Sequence, residues 1–162
     1  MKVLLPIFSI SMFMLGCGQP DQSDPDVVED ASIDHFKLNG LVDYSKLVDR
    51  DDGFYLPNEE TPFTGRAAKF YENGQQEMES NYKDGKQNGL NTLWHENGQK
   101  YRERNYKDGE KDGLETGWYE DGQKWFEVNW KDGRQEGLET WWLEDGQKET
   151  EQIWKDGVPV KD

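Results

Sequence analysis

From residue 64 to residue 159 the chain repeats itself every 24 residues without a gap. Gly65, Gly89, Gly113 and Gly137 share one position of the repeat, and Phe70, Trp94, Trp118 and Trp142 share another. Gly74, Gly98, Gly122 and Gly146 follow, each before a glutamine; then come Tyr82, Tyr106, Trp130 and Trp154. Lys-Asp-Gly closes every unit, at 83–85, 107–109, 131–133 and 155–157. A period of this length restricts the fold to an array of like units, each stabilised by its neighbours. It also argues against helices, because every unit holds at least three glycines, and each costs a helix interior about 1 kcal/mol relative to alanine.

Two punctuation points divide each unit: Asn-Gly or Asp-Gly near its middle and Asp-Gly at its end. Such dipeptides favour the positive φ values of tight hairpin turns. Between them residues alternate as on a strand. Leu90, Thr92 and Trp94 share one face, as do Leu114, Thr116 and Trp118, and Leu138, Thr140 and Trp142. On a returning strand Phe126, Val128 and Trp130 share a face and Glu127 and Asn129 the other. The expected fold is all-β: an elongated, twisted antiparallel meander of tandem 24-residue β-hairpins at 64–87, 88–111, 112–135 and 136–159, with a tail at 160–162. Only 33% of the residues are hydrophobic, so a second full layer is not expected. A large aromatic side chain in each unit is expected to form a ladder along the array.

The pattern Gly-Leu-x-Thr-x-Trp-x-Glu-Asn/Asp-Gly-Gln-Lys, then Tyr/Trp-Lys-Asp-Gly, resembles the MORN repeat in its bacterial variant, over about residues 53 to 159. The lead-in Pro62-Phe63-Thr64-Gly65 is similar to the opening of the YwqK-type antitoxin family of toxin–antitoxin systems, which are tandem arrays of such units. That resemblance implies binding and neutralising a toxin.

The first residues read as an address. Lys2 precedes an apolar run from Val3 to Leu15 that ends at Gly16-Cys17, the pattern of a secretory signal and too short to span a bilayer. The run resembles a bacterial lipoprotein signal, which implies a signal peptide at 1–16 and lipidation of Cys17. Cys17 is the only cysteine, so an intramolecular disulfide or a cysteine-rich zinc cluster is excluded. Residues 17–32 read as an acidic flexible tether with Pro20 and Pro25, and 33–63 as an N-terminal cap, a short helix or irregular segment followed by a clipped hairpin. By the sorting logic of such lipoproteins, Gly18 rather than Asp after the cysteine favours the outer membrane of a two-membrane organism. The expected location is the cell envelope, with the lipid as the only membrane contact.

Charge narrows the partners. With 19 basic and 34 acidic side chains the net charge is −15, a surface that repels nucleic acid and anionic lipid and suits a basic protein. Catalysis is not expected. His95 stands where the other units have Tyr71, Tyr119 and Leu143, and neither it nor His35 lies near a serine in a Gly-x-Ser-x-Gly turn. Glu72, Glu96, Glu120 and Glu144 recur at the middle turns and read as a solvated row rather than as a paired acid and base. Asp49-Arg50-Asp51-Asp52-Gly53 places its glycine one residue early for a calcium loop. No cofactor or metal is expected.

The candidate binding surface is aromatic. Trp94, Trp118 and Trp142 hold one repeat position, which suits packing as well as binding. Trp125 and Trp141 are unrepeated: their counterparts are Glu77, Tyr101 and Glu149 for the first, and Lys69, Leu93 and Gly117 for the second. The expected function is a non-catalytic protein-interaction module, with a cell-wall or glycan-binding lipoprotein as the alternative. Pro159, Glu149 and Glu151 are expected to protect the last edge, which favours a monomer.

Overall fold

The computed structural model describes residues 37–38 and 40–161; the signal segment, Cys17, the tether and His35 lie outside the described residues. After β1 (Lys37–Leu38), β2 (Leu41–Asp43), a 3-10 turn (Tyr44–Lys46), β3 (Val48–Arg50) and β4 (Gly53–Tyr55), the chain enters the repeats. These run β5 (Gly65–Phe70), β6 (Gln76–Lys83), β7 (Lys86–Trp94), β8 (Lys100–Lys107), β9 (Glu110–Lys111), β10 (Gly113–Trp118), β11 (Lys124–Lys131), β12 (Arg134–Trp142), β13 (Lys148–Lys155) and β14 (Val158–Pro159). The chain is all-β as expected, with hairpin following hairpin in one twelve-stranded sheet. One pairing departs from the antiparallel meander: β2 lies parallel to β5. The β3–β4 hairpin is a sheet of its own between them, so the chain crosses over it and enters β5 in the direction of β2.

The two turns of each unit differ. At the closing turn both residues take positive φ, as at Asp84 (49°) and Gly85 (78°), the geometry that joins two twisted strands through two residues. At the middle turn only the glycine does: Gly74 N–H donates to Tyr71 O, Tyr71 N–H donates to Gln75 O, and Gly74 sits at φ 84°. Asn73 Oδ1 accepts from Gln75 N–H and pins the loop. Asn and Asp are interchangeable there, since Asn97, Asp121 and Asp145 accept the same bond.

The ladder is interrupted once within each hairpin and again where one hairpin pairs with the next. A bulge inserts one residue on the returning strand, because Leu93 pairs with Arg102 but Trp94 with Lys100, leaving Tyr101 over. Trp125 and Glu149 are left over in the same way in the next two hairpins, and Glu77 in the first. A second irregularity falls opposite Asn81, between the pairs Ser80 with Asn91 and Tyr82 with Gln87. There the Asn81 amide donates to Leu90 O, and Asn105 and Asn129 do the same to Leu114 O and Leu138 O. These asparagines supply a bond that the broken ladder cannot, and Gly89, Gly113 and Gly137 occupy the distorted backbone at positive φ.

Pairing fixes the two faces. One carries Ala67, Ser80, Asn91 and Arg104 in turn across the strands, then Glu115, Val128 and Glu139, with Arg102, Phe126 and Trp141 two residues along and Tyr82 and Trp154 on the same face of their strands. The other carries the buried Thr92, Thr116 and Thr140, the exposed Leu90, Leu114 and Leu138, and the ion pairs Lys100–Glu103, Lys124–Glu127 and Lys148–Glu151. Residues 42–63 cover the first face at its N-terminal end. Val42, Phe63, Ala67 and Tyr82 form the buried cluster there, with Tyr44, Leu47, Phe54 and Leu56 packed against it. Burial pushes the Tyr82 phenol up to about 12. The cap is tied to the first closing turn by backbone bonds from Phe54 N–H to Gly85 O and from Gly85 N–H to Phe63 O, each 2.8 Å.

Candidate functional site

The five tryptophans expected to form a binding surface fall into two sets. Trp141 and Trp142 are consecutive and face opposite ways, Trp141 toward Thr150 and Trp142 toward Lys148. Trp94 and Trp118 follow Trp142, paired with Lys100 and Lys124. Trp125 is the bulge residue, and its ring meets Phe126 at 4.5 Å and Trp141 at 5.3 Å between centroids. The expected ladder of repeat-position tryptophans is absent: among the described residues none of Trp94, Trp118 and Trp142 pairs ring to ring with another aromatic. What repeats is a backbone bridge. Tyr71 Oη donates to Trp94 O, His95 Nε2 lies 3.1 Å from Trp118 O, and Tyr119 Oη donates to Trp142 O. His95 is thereby a strut in a tyrosine position.

The aromatic cluster is built by the bulge and by one glycine. A β-bulge re-aims a side chain that alternation would send elsewhere, and here it places Trp125 beside Phe126 on the same face. Tyr101, the bulge residue one unit earlier, stacks toward Trp125 at 6.5 Å and 19°. Gly117 makes room: a Cβ there would lie 2.2 Å from Phe126 Cε1 and 2.3 Å from Trp125 Nε1. Phe126 then stacks on Trp141, 5.1 Å away at 28°. Alternation alone does not find Tyr101. The signal was the aromatic at its position in two successive units, 101 and 125, where the outer units have Glu77 and Glu149.

Charge lies flat on the same face. Glu115, 3% exposed, is paired with Arg104 at 2.7 Å, Lys111 at 2.8 Å and Arg102 at 3.7 Å. Burial alone would raise its carboxyl, but the hydrogen bonds and charges of Lys111 and Arg104 outweigh burial and hold it below its ordinary value. The Arg102 guanidinium stacks over Tyr101, Trp125 and Phe126 at 5.1 to 5.5 Å, and Lys111 lies 4.0 Å above Trp130. Glu139, one unit on from Glu115, accepts from the indole N–H groups of Trp141 and Trp154.

Between the second and third units, at the middle-turn end of the sheet, a groove of about 590 Å³ opens. His95, Tyr101, Tyr119 and Trp125 give it aromatic walls, and Glu120, Asp121 and Glu144 line its rim. Tyr101 also packs edge-on against His95 at 5.0 Å. Burial first, then the carboxylates of Glu144, Glu149 and Asp121, hold the Tyr119 phenol above its ordinary value. Among the described residues no group of His, Cys, Asp and Glu side chains is placed to hold a metal ion, and no helix is long and apolar enough to cross a membrane.

The hairpins, their two turns and the period identify the units. Residues 63–84, 87–108 and 111–132 match the MORN repeat variant. Three tandem segments are thus similar to the MORN repeat variant, and the β12–β13 hairpin beyond them keeps the same ladder, with Gly137 opposite Trp154 as Gly113 is opposite Trp130. A comparison with curated proteins found no match.

Proposed function

We propose that this chain is a non-catalytic envelope protein, lipid-anchored through Cys17, whose MORN-variant sheet binds another protein. Repeats of this kind occur in protein-binding and membrane-binding settings. The observation that carries the reading is the half-buried cluster of Tyr101, Trp125 and Trp141 in the middle of the array, at positions where the first unit has Glu77 and Lys69. Aromatic side chains that a repeat does not require, set in a sheet face rimmed by carboxylates, supply the anchors and the charge that protein interfaces use. The acidic balance of the whole chain favours a basic partner, with electrostatics setting encounter rate and orientation. In its finer form, which rests on the resemblance to the YwqK-type antitoxins, the partner is a toxin that the sheet neutralises.

The test is capture from the native envelope by the intact protein, eluted with a salt gradient and followed by mass analysis of protein and glycan. One basic protein released stoichiometrically at moderate salt, and no longer retained by Trp141→Ala, is the expected result. Wall fragments that resist salt would replace the reading with glycan binding. The anchor has its own test: incorporation of a labelled fatty acid that Cys17→Ser abolishes.

A further inference from the structure

The groove between the second and third units has a chemistry that no other part of the described sheet repeats. Its walls are aromatic on both sides because positions 101 and 125 are tyrosine and tryptophan, whereas the corresponding positions 77 and 149 are glutamates. Its rim is acidic, and Glu120, Asp121 and Glu144 are exposed and enter no ion pair among the described residues. Most other glutamates on the sheet faces are compensated, as Glu79 is by Arg66, Glu103 by Lys100 and Glu127 by Lys124. Aromatic faces attract cations through their ring quadrupoles, and carboxylates beside them that enter no ion pair add charge; Asp121 already accepts from the Gln123 backbone and side-chain N–H groups, which leaves Glu120 and Glu144 as the open acceptors.

We propose that this groove receives an arginine side chain of the partner protein. This rests on the protein-binding reading above and names the chemistry of its contact. A guanidinium is planar, stacks on aromatic rings and presents a fork of donors to more than one carboxylate, which an ammonium matches less well. The molecule already shows the affinity of these rings for that group: Arg102, which does not line the groove, stacks its own guanidinium on Tyr101 and Trp125 at 5.1 and 5.5 Å. A volume of about 590 Å³ admits the side chain together with its flanking backbone. The neighbouring unit junctions lack the pair of aromatic walls, so the site is single in the array.

The probe is a blocked pentapeptide, acetyl-Gly-Gly-Arg-Gly-Gly-amide, titrated into the intact protein while the indole N–H resonances are followed by NMR. The expected result is a saturable shift at Trp125, with at least tenfold weaker binding of the citrulline peptide, which keeps the shape and loses the charge. The double variant Glu120→Gln/Glu144→Gln, at exposed rim positions that leave packing untouched, should weaken the arginine peptide at least fivefold. Asp49→Asn/Asp51→Asn removes the same charge from the cap and should change nothing. Equal binding of the citrulline peptide, equal losses in the two double variants, or no shift at Trp125 at millimolar peptide would each overturn the proposal. The outcome separates from that of the parent reading. A captured partner that binds Glu120→Gln/Glu144→Gln undiminished refutes the groove and leaves protein binding standing. An envelope that yields no protein, with the arginine peptide seated, refutes the parent reading instead.

Discussion

The same sheet face is finished in two different ways along its length. Over the first hairpin a separate segment of chain closes it: Phe63 and Val42 bury Tyr82 and Ala67 in a core made of apolar atoms. Over the third, the sheet's own side chains lie down on it. Val128 and Phe126 are each only 4% exposed, yet what surrounds them is Trp125, Trp141 and the charges that converge on Glu115. A capped end needs little from its surface and presents little to a partner. A self-covered face keeps large rings and charged heads at the boundary with solvent, where a binding partner can add to them. Under the cap the repeat position holds Ala67, and beyond it the same position holds Asn91, Glu115 and Glu139.

Truncation should separate the two regions most sharply. Phe63→Ala removes a ring from the closed core and should cost about 4 kcal/mol of unfolding free energy, whereas Trp141→Ala, at a half-buried site, should cost about 2 kcal/mol, both read from urea denaturation. Equal losses would mean that the self-covered face is as closed as the capped one.

Glu115 is the next place to press. Glu115→Gln keeps the shape but leaves Arg102, Arg104 and Lys111 facing a neutral group, at a cost of about 3 kcal/mol near neutral pH. Because the folded-state carboxyl lies below its ordinary value, its contribution is present above that ordinary value and is lost as the pH falls through the folded one. The difference between wild type and Glu115→Gln should therefore shrink on acidification. A gap that stays constant to low pH would show that the loss came from packing rather than charge.

Gly117→Ala tests whether the aromatic cluster needs its glycine. The residue is not in the left-handed region, so the cost is steric: Phe126 and Trp125 must both move, for about 2 kcal/mol. Gly137→Ala makes the opposite case. Its Cβ would meet only Asn129 at 3.9 Å, but φ is 83°, so about 1 kcal/mol of backbone strain is expected. Indole resonances of Trp125 and Trp141 should shift in the first variant and stay in the second.

Much of the fold was legible because each unit restates it. Period, hairpin, closing turn and the alternation of Leu114 with Thr116 all follow from residues that recur. The bulge was not legible, since counting alternation from a turn assumes that every residue has a partner, and residue 125 has none. Counted by alternation, Trp125 would lie on the face opposite Phe126, and the bulge puts the two together. Trp125 beside Phe126 and Tyr101 beside Arg102 were the available clue, two large side chains in sequence where an alternating strand wants one. That Asn81, Asn105 and Asn129 repair a broken ladder requires knowing where the ladder breaks, which alternation of Asn129 with Val128 does not tell. The cap was least legible, because residues 37–63 occur once and their parallel pairing to β5 has no second copy to confirm it.

The smallest expected effect tests the bridge that joins the units. Tyr71 and Tyr119 each donate a hydroxyl to the carbonyl of the tryptophan 23 residues on, whereas His95 makes that contact with a ring nitrogen whose role depends on its tautomer. In the neutral ring only one nitrogen carries a proton, so the bond to Trp118 O fixes that proton on Nε2. A tyrosine has no such constraint, and its neighbours show that the site accommodates one. His95→Tyr should stabilise the chain by about 0.5 kcal/mol, in the manner of other substitutions toward a repeat's own consensus. Because the ring also packs on Tyr101 in the groove wall, the variant reports on both regions: a gain in stability with peptide binding unchanged assigns His95 to the array, and a gain accompanied by weaker peptide binding assigns it to the groove.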